Sequence, residues 1–278
     1  MCFRCNSKTG VWSSRRAFVL AAGAAAGSAA VAQVDVGKSS PIRKLVPADE
    51  IEAAAAQQYV KVMGDARAKT VLLPDKHPQV VRLRSMAQRI IPHTTQWNDR
   101  AAKWRWEINV IASDQINAYC MPGGKIAFYT GILDQLKLSD DEAAMVMGHE
   151  MAHALREHGR ERIAKTQATG LGLSALSQLF GLGNLGNVAA EVGTQLFALQ
   201  FSRDDESEAD LVGLELAARS AYAPQAAATL WRKMGGASGG SNIGKFLSTH
   251  PSGPQRVKDL EANAPKVQAL YDKARKGG

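Results

Sequence analysis

The segment Ser139-Asp-Asp-Glu-Ala-Ala-Met-Val-Met-Gly-His-Glu-Met-Ala-His-Ala-Leu155 contains both a helix start and a metal-ligand pattern. Ser139 and Glu142 form a capping-box pair, which predicts that a helix begins here. His149 and His153 are four residues apart, so a helix places both imidazoles on one face. This spacing lets both rings bind one tetrahedral zinc ion. We therefore predict His149 and His153 as metal ligands and Glu150, in the pattern His-Glu-x-x-His, as the catalytic residue.

A third zinc ligand is expected in the acidic segment Ser202–Asp210. On a helix, Glu206 and Asp210 share a face, whereas Glu208 points about 200° away from Glu206. Two histidines and one glutamate leave the fourth zinc position open for water. Asp210, one turn further on, can accept the free N–H of a ligating histidine and so fix its tautomer. The sequence thus predicts Glu206 as the third ligand of one Zn²⁺ per chain. It also predicts that Asp210 accepts a hydrogen bond from one of the histidine ligands. A solvated acidic helix start is the alternative.

Strand patterns come before this helical region, and helical patterns continue to the end of the chain. Pro122-Gly-Gly is a turn signal between two strand-like runs, which predicts a hairpin. Strands early and helices late indicate an α+β fold that is mostly helical, with a small antiparallel sheet or hairpin beside the helix of His149 and His153. The elements predicted before Ser139 are helices over 49–69 and 78–91 and strands at Trp104–Val110, Ile116–Met121 and Lys125–Tyr129.

The composition is that of a globular protein: 278 residues, 45% hydrophobic and 22% charged. These values exclude disordered, collagen-like and disulfide-scaffold classes. The formal net charge is +8, but residues 1–32 contain four basic residues and no acidic one, which leaves 30 basic and 26 acidic residues in the remainder. This excess is small and scattered, so no nucleic-acid partner is predicted. Weak binding to an anionic surface remains an alternative.

The N-terminus has the pattern of an export signal. Arg15-Arg16 precede Phe-Val-Leu and an Ala/Gly-rich run, which resembles a twin-arginine signal, and Ala30-Val-Ala32 is an A-x-A cleavage site. We predict a signal peptide at 1–32, a linker at 33–46, a single domain at 47–278 and a periplasmic location. An uncut signal anchor is the alternative. After cleavage Cys120 is the single remaining cysteine, expected to be a small buried residue.

The stretch from Thr166 to Ala190 contains no charged residue and is rich in Gly, Ser and Asn. A membrane span needs about 20 strongly apolar residues, and this stretch is too diluted by polar ones. We predict a mobile helical hairpin or lid, with peripheral membrane contact through 166–190 as the alternative.

Three motifs in this order resemble the CAAX-prenyl-protease/HtpX-like family of zinc metallopeptidases, which are gluzincins in the wider sense. The motifs are the His149-Glu-x-x-His153 helix, the segment Glu206-Ser-Glu-Ala-Asp210 and the hairpin Asn117–Gly131, and the resemblance extends from about Val80 to Asp259. It implies a zincin fold with the edge strand of the hairpin along the cleft. The chain is similar to the short, soluble, periplasmic type.

The resemblance implies an endopeptidase that hydrolyses unfolded or misassembled envelope proteins, with Glu150 as general base. The segment Thr249–Arg256 also resembles one that follows the third ligand in this family, where the histidine and arginine lie near the cleft. His250 is thereby a candidate to reach the metal or the tetrahedral intermediate, and a residue of a loop closed by a helix start is the alternative. Arg256 is a candidate cleft residue or the partner of an acidic side chain. His158 is expected on the surface or in a layer behind the ligands.

Two competing functions stay open at this point. One is a latent protease that acts mainly as a chaperone or assembly factor, with the 166–190 stretch over the cleft. The other is an interaction protein in which the His-Glu-x-x-His pattern is accidental; it would bind no zinc. Deletion of residues 170–186 distinguishes a latent protease from one whose cleft is already open, because only the latent enzyme should gain activity.

Overall fold

The structure is a computed structural model that describes residues 34–170, 199–237, 244–251 and 253–277. The predicted signal peptide and most of the stretch 166–190 lie outside these residues. Within the described ranges, helices dominate and three strands form one small sheet, which confirms the predicted α+β class. None of the helices in these ranges has the length and apolar character needed to span a bilayer.

The helices and strands follow the predicted order. The α-helices are α1 (Ala48–Ala68), α2 (Pro78–Ile90), α3 (Thr130–Asp134), α4 (Asp140–Leu155), α5 (His158–Gly170), α6 (Arg203–Arg219), α7 (Ala226–Gly236), α8 (Gly244–Thr249) and α9 (Pro254–Lys276). The strands are β1 (Glu107–Ile111), β2 (Ala118–Met121) and β3 (Lys125–Tyr129). Strand β1 begins three residues later than predicted, because Trp104 closes a short 3-10 helix over Asp99–Lys103.

The sheet has the order β1-β3-β2, so β2 is an edge strand. The predicted hairpin forms: β2 and β3 are antiparallel, with Tyr119 opposite Ala127. Strand β1 pairs with β3 in parallel, which makes the sheet mixed rather than purely antiparallel. The hairpin turn requires glycine at Gly124, where φ is +76° and a Cβ atom would lie 2.7 Å from the Trp106 ring. Cys120 is buried in β2, as expected.

Helix α4 is the central element of the domain. All its residues from Glu142 to Leu155 are buried, because it packs against β2, α6 and α7. The predicted capping box is present: Ser139 Oγ accepts from the Glu142 amide, and the Glu142 carboxylate accepts from the Ser139 amide. A helix covered on every side needs small and apolar residues around its whole circumference, and the Ala-, Met- and Gly-rich sequence provides them.

Two glycines bring α4 and α6 into close contact. A Cβ atom on Gly213 of α6 would lie 2.6 Å from the backbone nitrogen of His149, and one on Gly148 would lie 2.7 Å from the Gly213 carbonyl oxygen. The two helix backbones therefore touch directly at the position where the His-Glu-x-x-His pattern begins.

The segment 34–46, predicted as a linker, packs on the domain. Val46 is buried in a small apolar cluster with Ile51 and Ile163. The Val34 amide donates to the buried Glu215 carboxylate at 2.6 Å.

Candidate metal centre

Helix α4 places the two predicted histidine ligands side by side. Nε2 of His149 and Nε2 of His153 are 3.1 Å apart, and both rings are buried. The ring of His153 stacks on Phe201, with ring centroids 3.9 Å apart, which fixes its orientation from the other side. The four-residue spacing thus brings the two ring nitrogens together as predicted.

Helix α6 carries Glu206 to the same point. A capping box starts this helix, with Ser202 as the N-cap and Asp205 in place of the usual glutamate. Glu206 Oε2 lies 3.5 Å from His149 Nε2, and its Oε1 lies 3.4 Å from His153 Nε2. Glu206 is completely buried.

His250 also reaches this cluster. It follows α8, and its ring stacks on Phe246 with centroids 4.6 Å apart. Its Nδ1 lies 3.0 Å from Glu206 Oε1 and 3.4 Å from His149 Nε2. The candidate ligand atoms of His149, His153, Glu206 and His250 all lie within 4.8 Å of one another.

These distances fit a zinc ion. Ligand atoms that surround a tetrahedral zinc at its usual bond lengths lie about 3.3 Å from each other. The separations given above, 3.0 to 3.5 Å, are close to that value. Imidazole and carboxylate are ligand types that zinc prefers. Four buried groups at this spacing would be poorly solvated without an ion, so the residues fit a metal.

Asp210 lies one turn after Glu206, behind His149. Its Oδ1 is 3.0 Å from His149 Nδ1, the ring nitrogen that faces away from the cluster, and accepts a hydrogen bond from Trp231 Nε1 at 3.2 Å. This is the position predicted for a carboxylate that orients a ligand.

Arg256, at the start of α9, connects the two carboxylates of α6. Its Nε and Nη2 donate to Asp210 at 2.7 Å each, and Nη1 lies 2.6 Å from Glu206 Oε2. The guanidinium carbon also lies 3.5 Å from the centroid of the Trp231 ring. The structure places Arg256 as the partner of acidic side chains, which is one of the two alternatives from the sequence.

The charge of Arg256 sets the protonation of Asp210. Burial alone would raise the pKa of the Asp210 carboxyl, but the arginine charge and the His149 contact together lower it below its ordinary value. Asp210 is therefore ionised when it faces His149, as an acceptor of the ring N–H must be.

Glu150 faces a cleft beside the ligand cluster. Its Oε1 is buried with no hydrogen-bond partner among the described residues, and it lies 3.6 Å from His250 Nε2. Burial raises the pKa of its carboxyl, the direction that moves a carboxylate toward the range useful for a general base. Residues Asn117 to Pro122, which include the edge strand β2, line the same cleft as Glu150 and His153.

Three residues behind His153 were not assigned a role from the sequence. His158 Nδ1 lies 2.9 Å from His153 Nδ1, Glu208 approaches the other side of the His158 ring, and Arg156 forms an ion pair with Glu208. The sequence placed His158 on the surface or behind the ligands, and the structure places it behind them. The sequence did contain one indication of this contact. Glu208 is acidic but has no basic residue one turn away on its own helix, so its partner had to come from another segment.

Comparison with known proteins agrees with this geometry. Over 218 residues the chain is 34% identical to "Mitochondrial metalloendopeptidase OMA1" of Schizosaccharomyces pombe, which covers 77% of this chain and 61% of the relative. The protein of that name from Arabidopsis thaliana is 41% identical over 165 residues, 59% of this chain and 33% of the relative. "Beta-barrel assembly-enhancing protease" of Escherichia coli is 27% identical over 201 residues, 68% of this chain and 39% of the relative.

The chain thus spans between 33% and 61% of the length of these curated relatives. Residues 78–264 match the sequence profile of peptidase family M48. This range contains the cluster of His149, His153, Glu206 and His250, and it takes in more than half of the chain. The match confirms the predicted resemblance to zinc metallopeptidases: the chain belongs to peptidase family M48.

Proposed function

We propose that the chain is a zinc-dependent endopeptidase that holds one zinc ion. The observation that carries the proposal is the spacing of His149, His153 and Glu206 beside Glu150, whose buried Oε1 accepts no hydrogen bond from the described residues. The three ligands would leave a coordination position for water, as in catalytic zinc sites. Membership of family M48 and the metalloendopeptidase names of the relatives support the same activity.

The zinc ion, when bound, supplies Lewis-acid chemistry that acidifies water and polarises a peptide carbonyl. His149, His153 and Glu206 would hold it, and Asp210 would keep the His149 ring in the tautomer whose Nε2 faces the cluster. Glu150 accepts the proton of the attacking water and then donates it to the leaving amine. Burial of Glu150 favours this role, because it raises the pKa of the carboxyl and so strengthens the carboxylate as a base.

The substrate class follows from the edge strand. Strand β2 is the edge strand of the described sheet and lines the cleft next to Glu150. An extended peptide can add to such an edge through backbone hydrogen bonds, which carry little sequence preference. We propose unfolded or misassembled envelope proteins as substrates, since these expose extended segments. The E. coli relative is named for β-barrel assembly, which supports this class.

Replacement of Glu150 by Gln tests the activity. The amide has the same shape but accepts no proton, so casein cleavage should fall by about 10²- to 10⁴-fold, while zinc stays at one per chain. Glu50→Gln, on the exposed face of α1, is the matched control and should cleave as the wild type does. Cleavage retained in Glu150→Gln would contradict the mechanism. A wild-type chain without zinc would instead favour an interaction protein with an accidental motif.

A latent protease that acts mainly as a chaperone or assembly factor is the second candidate. The position of His250 favours it, because a fourth protein ligand would close the site to water. Under this alternative, His250→Ala should increase casein cleavage, as should deletion of residues 170–186. If His250 instead assists the reaction, His250→Ala should decrease cleavage.

We further propose export to the periplasm by the twin-arginine-type signal at 1–32, supported by Arg15-Arg16 and the Ala30-Val-Ala32 site. Fusion of residues 1–33 to a folded reporter tests it. Export should be lost when both arginines become lysine, and a reporter exported equally well by the lysine variant would contradict this route. Peripheral membrane contact through 166–190 remains a proposal of the same kind. Sedimentation with vesicles checks it, with and without that stretch.

A further inference from the structure

The histidine behind the second metal ligand has a defined hydrogen-bonding geometry. His153 directs Nε2 toward the ligand cluster and Nδ1 toward His158, whose Nδ1 is 2.9 Å away. His158 is only 3% exposed, so water does not compete for this contact. The rings meet edge to face, with centroids 5.0 Å apart and an interplanar angle of 76°.

The direction of this hydrogen bond is fixed by the role of His153. An imidazole that offers its Nε2 lone pair to a metal carries its proton on Nδ1. That Nδ1–H must donate, so Nδ1 of His158 must be the acceptor. His158 then carries its own proton on Nε2.

The surroundings of His158 favour that tautomer. Glu208 Oε2 lies 3.6 Å from His158 Nε2, too long for a direct hydrogen bond but close enough for attraction between the carboxylate and the N–H dipole. Arg156 holds Glu208 in place through a close ion pair and donates from Nη2 to the Gly37 carbonyl at 2.9 Å. The chain of contacts thus runs from Gly37 to His153.

A turn in the backbone makes this contact possible. On a continuous helix, a residue five after His153 would lie off its face. Helix α4 ends at Leu155, and Glu157 has a left-handed φ of +60°, so the chain reverses and α5 begins at His158. A non-glycine residue in this region is strained. The conformation brings His158 back under His153.

We propose that His158 is a positioning residue that fixes the tautomer and orientation of the metal ligand His153, with Glu208 and Arg156 as its support. The proposal rests on the zinc site of the proposed function. It gives the two histidine ligands different supports: Asp210, an ionised carboxylate, behind His149 and a neutral imidazole behind His153.

Two substitutions of nearly equal shape separate hydrogen bonding from packing. In His158→Asn the amide oxygen takes the place of Nδ1 and can still accept from His153, whereas His158→Leu has no acceptor. We measure the zinc dissociation constant of the full chain by competition with a chelator, and the melting temperature of the metal-free form. Loss of a hydrogen-bond partner behind a ligand weakens metal binding by about 10- to 100-fold, and we expect this loss for His158→Leu. The zinc dissociation constant of His158→Asn should stay within about threefold of the wild-type value.

Equal zinc affinity in wild type, Asn and Leu variants would overturn the proposal, and an equal loss in both variants would reduce His158 to a packing role. If His158→Leu does not fold, His158→Gln replaces it, because its amide occupies the Nε2 position and cannot reach His153. Unchanged zinc affinity in His158→Gln would then refute the positioning role. A wild-type chain that binds no zinc would overturn the zinc site itself, an outcome distinct from these.

Discussion

Substitution of Gly213 by alanine tests how closely α4 and α6 must approach. The new Cβ would lie 2.6 Å from His149 N and 2.9 Å from Gly148 C and His149 Cα. All three are backbone atoms of α4, so no side chain can move aside. The helices must separate by roughly 0.8 Å to restore ordinary contact, and overpacking of this kind costs about 1–3 kcal/mol.

Alanine also has a higher helix propensity than glycine. At an unhindered position inside a helix, this difference alone stabilises the protein by about 1 kcal/mol. The net expectation for Gly213→Ala is therefore a loss of up to about 2 kcal/mol in the free energy of unfolding. Asp210 is one turn before Gly213 and Glu206 two turns before it, so the same shift moves both carboxylates away from His149. A displacement near 1 Å at a catalytic group lowers activity by about 10²-fold.

The assay is urea unfolding together with casein cleavage and zinc content. Gly64→Ala is the matched control, because Gly64 lies inside α1 with nothing within 4 Å of its would-be Cβ. The free energy of unfolding of that variant should rise by up to about 1 kcal/mol, and its activity should be unchanged. If Gly213→Ala is as stable and as active as Gly64→Ala, the argument from close helix contact is refuted.

Three further outcomes are expected at the metal centre. Asp210→Asn should weaken zinc binding by about 10- to 100-fold in chelator competition, whereas the exposed Asp204→Asn on the same helix should bind as the wild type does. Arg256→Met leaves two buried carboxylates without their cation and should destabilise the chain by about 3–5 kcal/mol in urea unfolding; a loss below 1 kcal/mol would contradict the ion-pair assignment. Removal of zinc by a chelator should lower the melting temperature. Zinc added at 100 times its dissociation constant should then raise the free energy of unfolding by about 2.7 kcal/mol. Identical melting curves with and without zinc would rule out binding to the native state.

The parts of the site that lie on one helix were predictable from the sequence. Each of the two pairs, His149 with His153 and Glu206 with Asp210, is four residues apart and therefore lies on one face of its helix. The structure brings these two helix faces together. The hairpin was equally predictable, because strand, turn and strand are consecutive in the chain.

Contacts between distant segments were not predictable in the same way. The parallel pairing of β1 with β3 depends on the path of the chain between them. The position of His158 depends on the left-handed residue Glu157, which no local pattern indicates. The contact between Gly148 and Gly213 depends on the crossing of two helices, although a glycine inside each helical pattern was a signal that something approaches closely.

The Arg256 contacts have a consequence for synthesis. The arginine that balances Glu206 and Asp210 comes more than a hundred residues after His149, so translation must deliver nearly all of the described domain before the site is electrostatically complete. The contact between Arg256 and Asp210 itself spans 46 residues, and non-local contacts of this kind slow folding because a loop must close before they form. The twin-arginine-type export proposed above would carry the protein already folded, so the ion would be acquired before the membrane is crossed. The zinc supply of the compartment of synthesis, rather than that of the destination, would then set how many molecules arrive loaded.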